Sequence, residues 1–452
     1  MIIDRPRGRS APAAGAPPLS GEPGDTSGIP AGTPADRASA ALPRPVSGAA
    51  AGSRFHGTGF WLVTAAFWTA MAFSGAPAPL YPLYEKQDGF GAFTVTAVFA
   101  VYAIGVLASL LLAGHISDWL GRRRILGAAL ALQILAAVVF LAWPALPGLL
   151  LARFATGLGI GMIAPTATAY LQELHAAHRP QASLARFSIV SATANVGGLG
   201  LGPLITGVLA QYLPLPLVIP FIVFAALLTF SLVAVILSPE TVDIPAERPA
   251  YRPQMISAGY GGTAPYLAAA AGTVTGAAVF ALFISLAPGF MAQTLHHPSR
   301  ALAGVIVFAV FLTGTLAQVL TGRLPARATT AIGIMLQVAG VVLLAVSLRN
   351  PELAMFSAGG ALAVAGGGLL FKTGVGAIAA LAPPARRGEA LAGLYFIAYA
   401  GLAVPTLAMG IGIQHFGAAT SMLWFAGLLL ILLAMIAVIQ YGAPLRSSAQ
   451  AR

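Results

Sequence analysis

The sequence predicts an all-α membrane protein with twelve transmembrane helices arranged in two six-helix bundles. Hydrophobic residues make up 58% of the 452-residue chain and charged residues only 8%, with a mean hydropathy of +0.85. A soluble domain carries roughly 25% charged residues, so this chain requires lipid around most of its exterior. Twelve apolar stretches follow one another, each near the ~20 residues that cross a bilayer. One long polar interruption divides them into two sets of six.

The predicted domains follow the changes in composition along the chain. Residues 1–59 are rich in Ala, Pro, Gly and Ser, which predicts a disordered cytoplasmic tail. The N-terminal bundle covers 60–238, with spans at 60–83, 93–114, 124–143, 148–171, 184–211 and 217–238. A cytoplasmic linker rich in proline and charge occupies 239–265. The C-terminal bundle covers 266–441, with spans at 266–292, 302–322, 329–348, 353–381, 390–414 and 419–441, before a cytoplasmic tail at 442–452.

The basic residues predict the orientation of the chain. Nineteen of the 24 Lys and Arg residues fall on the side that holds both predicted tails, and three fall on the opposite side. Under the positive-inside rule, both termini therefore lie in the cytoplasm, and we expect a multi-pass protein of the bacterial inner membrane. The net charge of +11 does not predict a nucleic-acid partner, because the charges stand singly or in short groups between apolar stretches.

Several kinds of chemistry have no basis in the sequence. The absence of cysteine excludes disulfides, thiolate metal sites and cysteine nucleophiles. The seven histidines never take a metal-ligand spacing within a predicted helix, and no phosphate-binding loop or nucleophile–base arrangement is visible. We therefore predict no enzyme, no metal and no cofactor. We expect a monomer whose partners are the lipid bilayer, a small-molecule substrate and a coupling proton.

The loop after the second span carries the most informative motif. Residues 114–124 read G-H-I-S-D-W-L-G-R-R-R. The first glycine allows close helix approach, the aspartate can pair with a helix N-terminus or an arginine, and the second glycine suits a tight turn. An ordinary basic cytoplasmic loop would explain the arginines, but not the spacing of the glycines and the aspartate.

This stretch resembles the signature of the major facilitator superfamily, G-x-x-x-D-x-x-G-R-[RK], at every specified position. The resemblance implies the major facilitator fold, transport by alternating access, and a conformational latch formed by Gly114, Asp118, Gly121, Arg122 and Arg123. The equivalent loop of the second half, at 322–327, keeps basic residues but has Ala326 in the acidic position.

Two further segments bear on mechanism. Arg153 in the fourth span is costly in lipid and should face the bundle interior, although the glycines that follow it also suit helix packing. It resembles the arginine of proton-coupled family members, where this residue serves coupling. The fifth span resembles the antiporter pattern of the family only in part, and it predicts a bent gating helix. The residues of this gating helix are Gly198, Gly202, Pro203 and Gly207.

The remaining candidates for substrate binding or coupling are polar residues inside predicted spans. Lys372 lies nine residues before the end of the tenth span, so we predict that it binds substrate or takes part in coupling. A lysine paired with backbone carbonyls is the structural alternative. The other candidates, each equally suited to interhelical packing, are Asn195, Gln318, Tyr395 and Tyr399.

The sequence leaves the direction of transport open. The partial antiporter pattern and the first-span prolines resemble twelve-span drug/proton antiporters, which predicts proton-coupled efflux of a drug-like compound or metabolite. No Asp or Glu falls at the middle of a predicted span, which favours an uptake carrier for a small metabolite or vitamin, anionic ones included. A membrane receptor or scaffold is weakly supported, since the predicted tails and linker are too short and polar for an output domain.

Overall fold

The structure is a computed structural model that describes residues 47–113, 116–183, 185–242, 262–383 and 386–442. Within these residues it contains twelve helices long and apolar enough to cross a membrane. In chain order we label them α1 Phe55–Asp88, α2 Ala92–Leu112, α3 Arg122–Ala142, α4 Leu146–His178, α5 Arg186–Tyr212, α6 Ile219–Ile236, α7 Thr263–Ser285, α8 Arg300–Leu320, α9 Ala326–Arg349, α10 Leu353–Leu381, α11 Arg387–Phe416 and α12 Ala418–Tyr441.

The predicted fold class is confirmed, because these helices form two six-helix bundles, α1–α6 and α7–α12. Helices that cross a membrane an even number of times bring both ends of the described chain to one face. We call that face the terminal face and the opposite one the distal face. Most of the predicted linker, from residue 243 to 261, and the tail after residue 442 lie outside the described residues.

The first helix is longer than predicted and is broken near its distal end. Its helix already begins at Ser47, before the spanning part labelled α1, so residues 47–59 of the predicted tail are helical; they contain no proline. Regular helix stops at Gly75 and resumes at Tyr81–Asp88 after a short 3-10 turn. Pro77 and Pro79 cause the break, since proline lacks the N–H that an α-helix requires.

Aromatic side chains fill the centre of the N-terminal bundle. The rings of Phe140 in α3 and Phe221 in α6 stack with centroids 4.5 Å apart, and Phe73 of α1 meets the edge of Phe140 at 6.2 Å. These side chains are at most 1% exposed. Offset and edge-to-face ring pairs add to the stability that burial already provides, so α1, α3 and α6 are held together independently of the polar groups described below.

The two bundles meet through α2 packing on α11 and α5 packing on α8. Helix α5 is not uniformly α-helical, because residues Thr193–Gly197 form a π-helical turn. The distal end of α7 likewise continues into a π-helical turn at Phe290–Thr294. Neither irregularity was predicted from the sequence, and both lie on helices at the boundary between the bundles.

Candidate functional site

The predicted latch is partly described by the structure. Gly114 and the side chain of Asp118 lie outside the described residues. Gly121 has a φ of +98°, a backbone conformation that L side chains rarely adopt, and an added Cβ would lie 2.6 Å from an oxygen of Glu240. Glycine is therefore required at this turn, as the motif predicted on geometric grounds.

Arg122 and Arg123 take part in a cluster of charged groups at the terminal face. Glu240, just beyond the end of α6, accepts the backbone N–H groups of Arg122 at 2.9 Å and Arg123 at 3.1 Å. Its carboxylate thus caps the first turn of α3, where an anion is stabilised by unpaired N–H groups and by the helix dipole. The sequence analysis missed Glu240, although its position directly after a span was a visible signal.

The second carboxylate of this cluster is Glu173, near the end of α4. The Arg122 guanidinium donates to it from Nε at 3.2 Å and from Nη2 at 2.9 Å, and donates to Ser117 Oγ at 2.7 Å. Thr241 donates to the same carboxylate at 2.5 Å. We name Arg122, Glu173 and Glu240, with the turn at Gly121, the terminal-face cluster. Its contacts join α3, α4 and α6 of the N-terminal bundle.

Arg153 lies inside the N-terminal bundle, as predicted, and is only 1% exposed. Its Nη1 donates to the Ser74 carbonyl at 2.7 Å, next to the break in α1. Its Nε and Nη2 have no hydrogen-bond partner among the described residues. These two nitrogens form one edge of the guanidinium, the edge that holds a carboxylate by two parallel hydrogen bonds.

Aromatic rings enclose the Arg153 guanidinium. Its central carbon lies 4.8 Å from the ring centroid of Tyr102 and 5.6 Å from that of Phe99, both on α2. Such cation–π contacts are worth about 2 kcal/mol when desolvated. The hydroxyls of Tyr81 and Tyr84, on the distal part of α1, are also buried without a hydrogen-bond partner among the described residues. The sequence analysis did not predict any of these aromatic neighbours.

The glycines that follow Arg153 serve the close packing of α4 on α2. A Cβ on Gly157 would lie 2.1 Å from the Tyr102 carbonyl oxygen, and one on Gly161 would lie 2.7 Å from the Val106 carbonyl oxygen. Both glycines therefore bring α4 against the helix that carries Tyr102. This matches the packing alternative considered for the glycine motif, while Arg153 on the same helix remains a candidate for binding or coupling.

The predicted gating residues of α5 lie at two close helix contacts. A Cβ on Gly202 would lie 1.8 Å from the Ala72 carbonyl oxygen, so this glycine is required where α5 crosses α1. Gly198 faces Trp68 and Met71 of α1, and Pro203 lies within the helix. Gly207 faces α8 instead, where a Cβ would lie 2.4 Å from the Arg300 carbonyl oxygen. The residues of the motif thus connect α5 to both bundles.

Lys372 is half-buried, and its Nζ donates to the Gln318 carbonyl at 2.8 Å. Gln318 lies in the last turn of α8, where carbonyl groups lack partners within the helix. A lysine at a helix C-terminus satisfies such a carbonyl and interacts favourably with the dipole. Two predicted candidates therefore contact each other. The contact is a lysine paired with a backbone carbonyl, which was the structural alternative to a binding or coupling role for Lys372.

The other predicted candidates are spread along α5 and α11. Asn195 is half-buried in the π-helical turn of α5. The Tyr395 ring lies 6.2 Å from that of Phe371 in α10, and Tyr399 packs on the hydrophobic core that also contains Tyr102. Tyr399, on α11, therefore packs on the same core as Tyr102, the α2 residue whose ring covers Arg153.

Polar contacts close the boundary between the bundles at the distal face. Gln293, beyond α7, donates to Glu85 of α1 at 2.8 Å. At the junction of α5 and α8, the Arg300 backbone N–H donates to the Gln211 side chain at 3.0 Å, and its guanidinium donates to the Ala210 carbonyl. The predicted first span, 60–83, ends just before Glu85, and the partner of this residue could not be identified from sequence.

The family model of the Major Facilitator Superfamily matches residues 41–265. Twelve spanning helices in two bundles, with the loop motif between α2 and α3, agree with this match. The chain belongs to the major facilitator superfamily, and it is accordingly a secondary membrane transporter and not an enzyme. No curated protein sequence matches it.

Three solved structures share this fold across most of the chain. The human organic anion transporter MFSD10 (TETRAN) has a TM-score of 0.60 and 17% identity, covering 84% of this chain and 99% of its own. A mutant of the nucleoside transporter NupG has a TM-score of 0.63 and 13% identity, covering 84% and 99%. A bacterial homologue of the human lysosomal transporter Spinster, inward-facing and unoccupied, has a TM-score of 0.63 and 15% identity, covering 85% and 97%.

Proposed function

We propose that this chain is an alternating-access carrier for a small organic solute with a negative charge. The observation that carries the proposal is the buried Arg153 guanidinium, whose Nε and Nη2 lack partners among the described residues. A buried charge without a counter-charge costs several kcal/mol. A carboxylate or similar anion on the solute would remove this cost through the free edge of the guanidinium.

The surroundings of Arg153 suit the rest of such a solute. Phe99, Tyr102 and Tyr81 provide apolar surface, and the unpaired Tyr81 hydroxyl offers a further hydrogen bond. Binding sites for small molecules combine mostly apolar walls with a few polar groups that fix orientation. An aromatic or partly aliphatic acid fits this description better than a sugar, which would require many more polar partners.

The contacts at the distal face support alternating access. The hydrogen bond from Gln293 to Glu85, and those from Arg300 to the end of α5, connect the two bundles on that side. A carrier closed at one face gives its substrate access from the other. With both termini in the cytoplasm of a bacterium, as the distribution of Lys and Arg predicts, this arrangement is closed to the outside. The Spinster homologue of similar fold is also described as inward-facing.

Proton-coupled export remains our leading proposal for direction. Its support is the partial antiporter pattern of α5, in which Gly202, Pro203 and Gly207 occupy close contacts with both bundles. Uptake of an anionic metabolite is the second candidate, favoured by the two cations, Arg153 and Lys372, that lie away from the ends of their helices. Flux in vesicles separates these possibilities: under an imposed pH gradient an antiporter accumulates solute on the acidic side and a proton symporter accumulates it on the alkaline side. Indifference to the gradient excludes proton coupling.

The substrate class is tested by thermal stabilisation of the purified protein. Each organic acid in a panel is paired with its neutral amide, for example salicylate with salicylamide, so that size and shape are matched. A ligand that binds the folded state raises the unfolding temperature. We expect the acids to stabilise the protein and the amides to have little effect. Stabilisation by amides or by organic cations instead would overturn the anion assignment.

A further inference from the structure

A cavity lies far from Arg153, at the terminal face. It has a volume of about 400 Å³ and opens between the beginning of α1, the end of α4 and the beginning of α5. His175, which lines it, is 22 residues from Arg153 along α4, or roughly 33 Å at 1.5 Å per residue. The cavity is therefore separate from the site proposed for the transported solute.

Basic side chains line the mouth of this cavity. Arg179 follows the end of α4 and Arg186 begins α5; both are exposed, and neither forms an ion pair with another described residue. His175 and His178 contribute imidazole rings, and His175 Nε2 lies 3.3 Å from the Ser183 carbonyl. None of the lining residues is acidic. Two guanidinium groups without a described counter-ion in one cavity provide a strong local attraction for an anion.

Aromatic side chains complete the cavity. The Arg186 guanidinium carbon lies 5.5 Å from the Trp61 ring centroid, and Trp61 is 51% exposed. Phe60 beside it is 4% exposed, and its ring lies 5.9 Å from that of His175. Exposed tryptophan at the end of an apolar span is typical of the depth of lipid headgroups. The cation–π contact with Trp61 also orients Arg186 at the cavity.

We propose that this cavity binds the phosphate group of an anionic ligand. Phosphate offers several acceptor oxygens, which can be shared between the planar forks of Arg179 and Arg186. The same chemistry can come from the headgroup of an anionic phospholipid or from a soluble phosphate ester. Basic cavities between helices on the cytoplasmic side of membrane proteins bind acidic headgroups, and a soluble ester would use the same arginines from the aqueous side.

The test uses the full chain in nanodiscs and native mass spectrometry. Retention of phosphatidylglycerol is compared with that of phosphatidylcholine for the wild type and for the double variant Arg179→Gln, Arg186→Gln. The control is Arg386→Gln, Arg387→Gln, which removes the same charge from exposed positions at the beginning of α11. We expect the cavity variant to lose roughly thirtyfold in phosphatidylglycerol retention, since two basic groups near the membrane surface contribute about 1 kcal/mol each. The control should resemble the wild type.

Glycerol 1-phosphate distinguishes the two sources. If it displaces phosphatidylglycerol or binds in an arginine-dependent manner, the cavity accepts a soluble ester; if the lipid alone shows arginine dependence, the ligand is a headgroup. Equal lipid loss in the cavity and control variants, without arginine-dependent binding of glycerol 1-phosphate, overturns the proposal. The variant Arg179→Lys, Arg186→Lys keeps the charge and gives a second measurement should the glutamine variant fold poorly; it should retain more lipid than neutral variants.

Discussion

The guanidinium carbon of Arg153 lies 4.8 Å from the ring centroid of Tyr102, inside the N-terminal bundle. Tyr102 belongs to α2, the helix that packs on α11 of the other bundle, and Tyr399 of α11 packs on the same core. A movement of α11 relative to α2 would therefore act on the helix that carries the aromatic cover of the arginine. This relationship connects the buried charge with the boundary at which an alternating-access carrier moves.

The terminal-face cluster should stabilise the N-terminal bundle. Glu240→Gln removes the carboxylate that caps α3 through the N–H groups of Arg122 and Arg123. We expect the free energy of unfolding to fall by about 1–2 kcal/mol, because the loss of a helix cap typically costs this much. Thermal unfolding in detergent measures the change. The control is Glu352→Gln, since Glu352 precedes α10 without forming a side-chain cap; equal effects of the two variants would contradict the capping role.

Gly202 should tolerate no side chain. In Gly202→Ala the new Cβ would meet the Ala72 carbonyl oxygen, which belongs to the backbone of α1 and cannot rotate away. We expect a loss of about 3 kcal/mol in the free energy of unfolding, the upper range for overpacking. Gly376→Ala is the matched control, because a Cβ added there would have nothing within 4 Å and alanine favours the helix by up to about 1 kcal/mol. A harmless Gly202→Ala would show that α1 and α5 are further apart.

The distal closure can be tested by cross-linking, because the chain contains no cysteine of its own. The double variant Glu85→Cys, Gln293→Cys replaces two side chains that touch across the bundle boundary. We expect oxidation to form a disulfide, to stop flux in proteoliposomes, and to be reversed by a thiol reductant. Each single-cysteine variant serves as the control and should keep its flux under the same oxidant. Full flux in the cross-linked protein would show that these two positions do not have to separate during transport.

Lys372 offers a test between capping and substrate binding. Lys372→Met keeps the length of the side chain but removes the hydrogen bond to the Gln318 carbonyl. If the lysine caps α8, the free energy of unfolding falls by about 0.5–1 kcal/mol while flux per folded protein is retained. Circular dichroism during heating and flux in proteoliposomes provide the two readings. Lost flux with unchanged stability would instead place Lys372 in the path of the substrate.

The sequence predicted the fold well because hydropathy and charge placement act over short stretches of chain. Every predicted span overlaps an observed helix, and two prolines of the first span explain the break in α1. The π-helical turn at Thr193–Gly197 depends instead on packing that no local pattern encodes. The site residues divide in the same way, into features that local sequence predicts and contacts that only the folded chain creates. The cost of a charge in lipid was enough to place Arg153 inside the bundle, whereas its aromatic cover and the ion pair of Arg122 with Glu173 join residues distant in sequence.

The central claim is that Arg153 binds the negative charge of the solute. Its direct test is the stabilisation of Arg153→Gln by the panel of organic acids and amides, since glutamine removes the positive charge but keeps a polar side chain that can donate hydrogen bonds. The control is Arg349→Gln, at the distal end of α9. We predict that acids stabilise the wild type and the control, and that their apparent affinity falls by about tenfold or more in Arg153→Gln, as expected for a lost charged hydrogen-bond pair. Equal stabilisation of all three proteins by the acids would contradict the assignment.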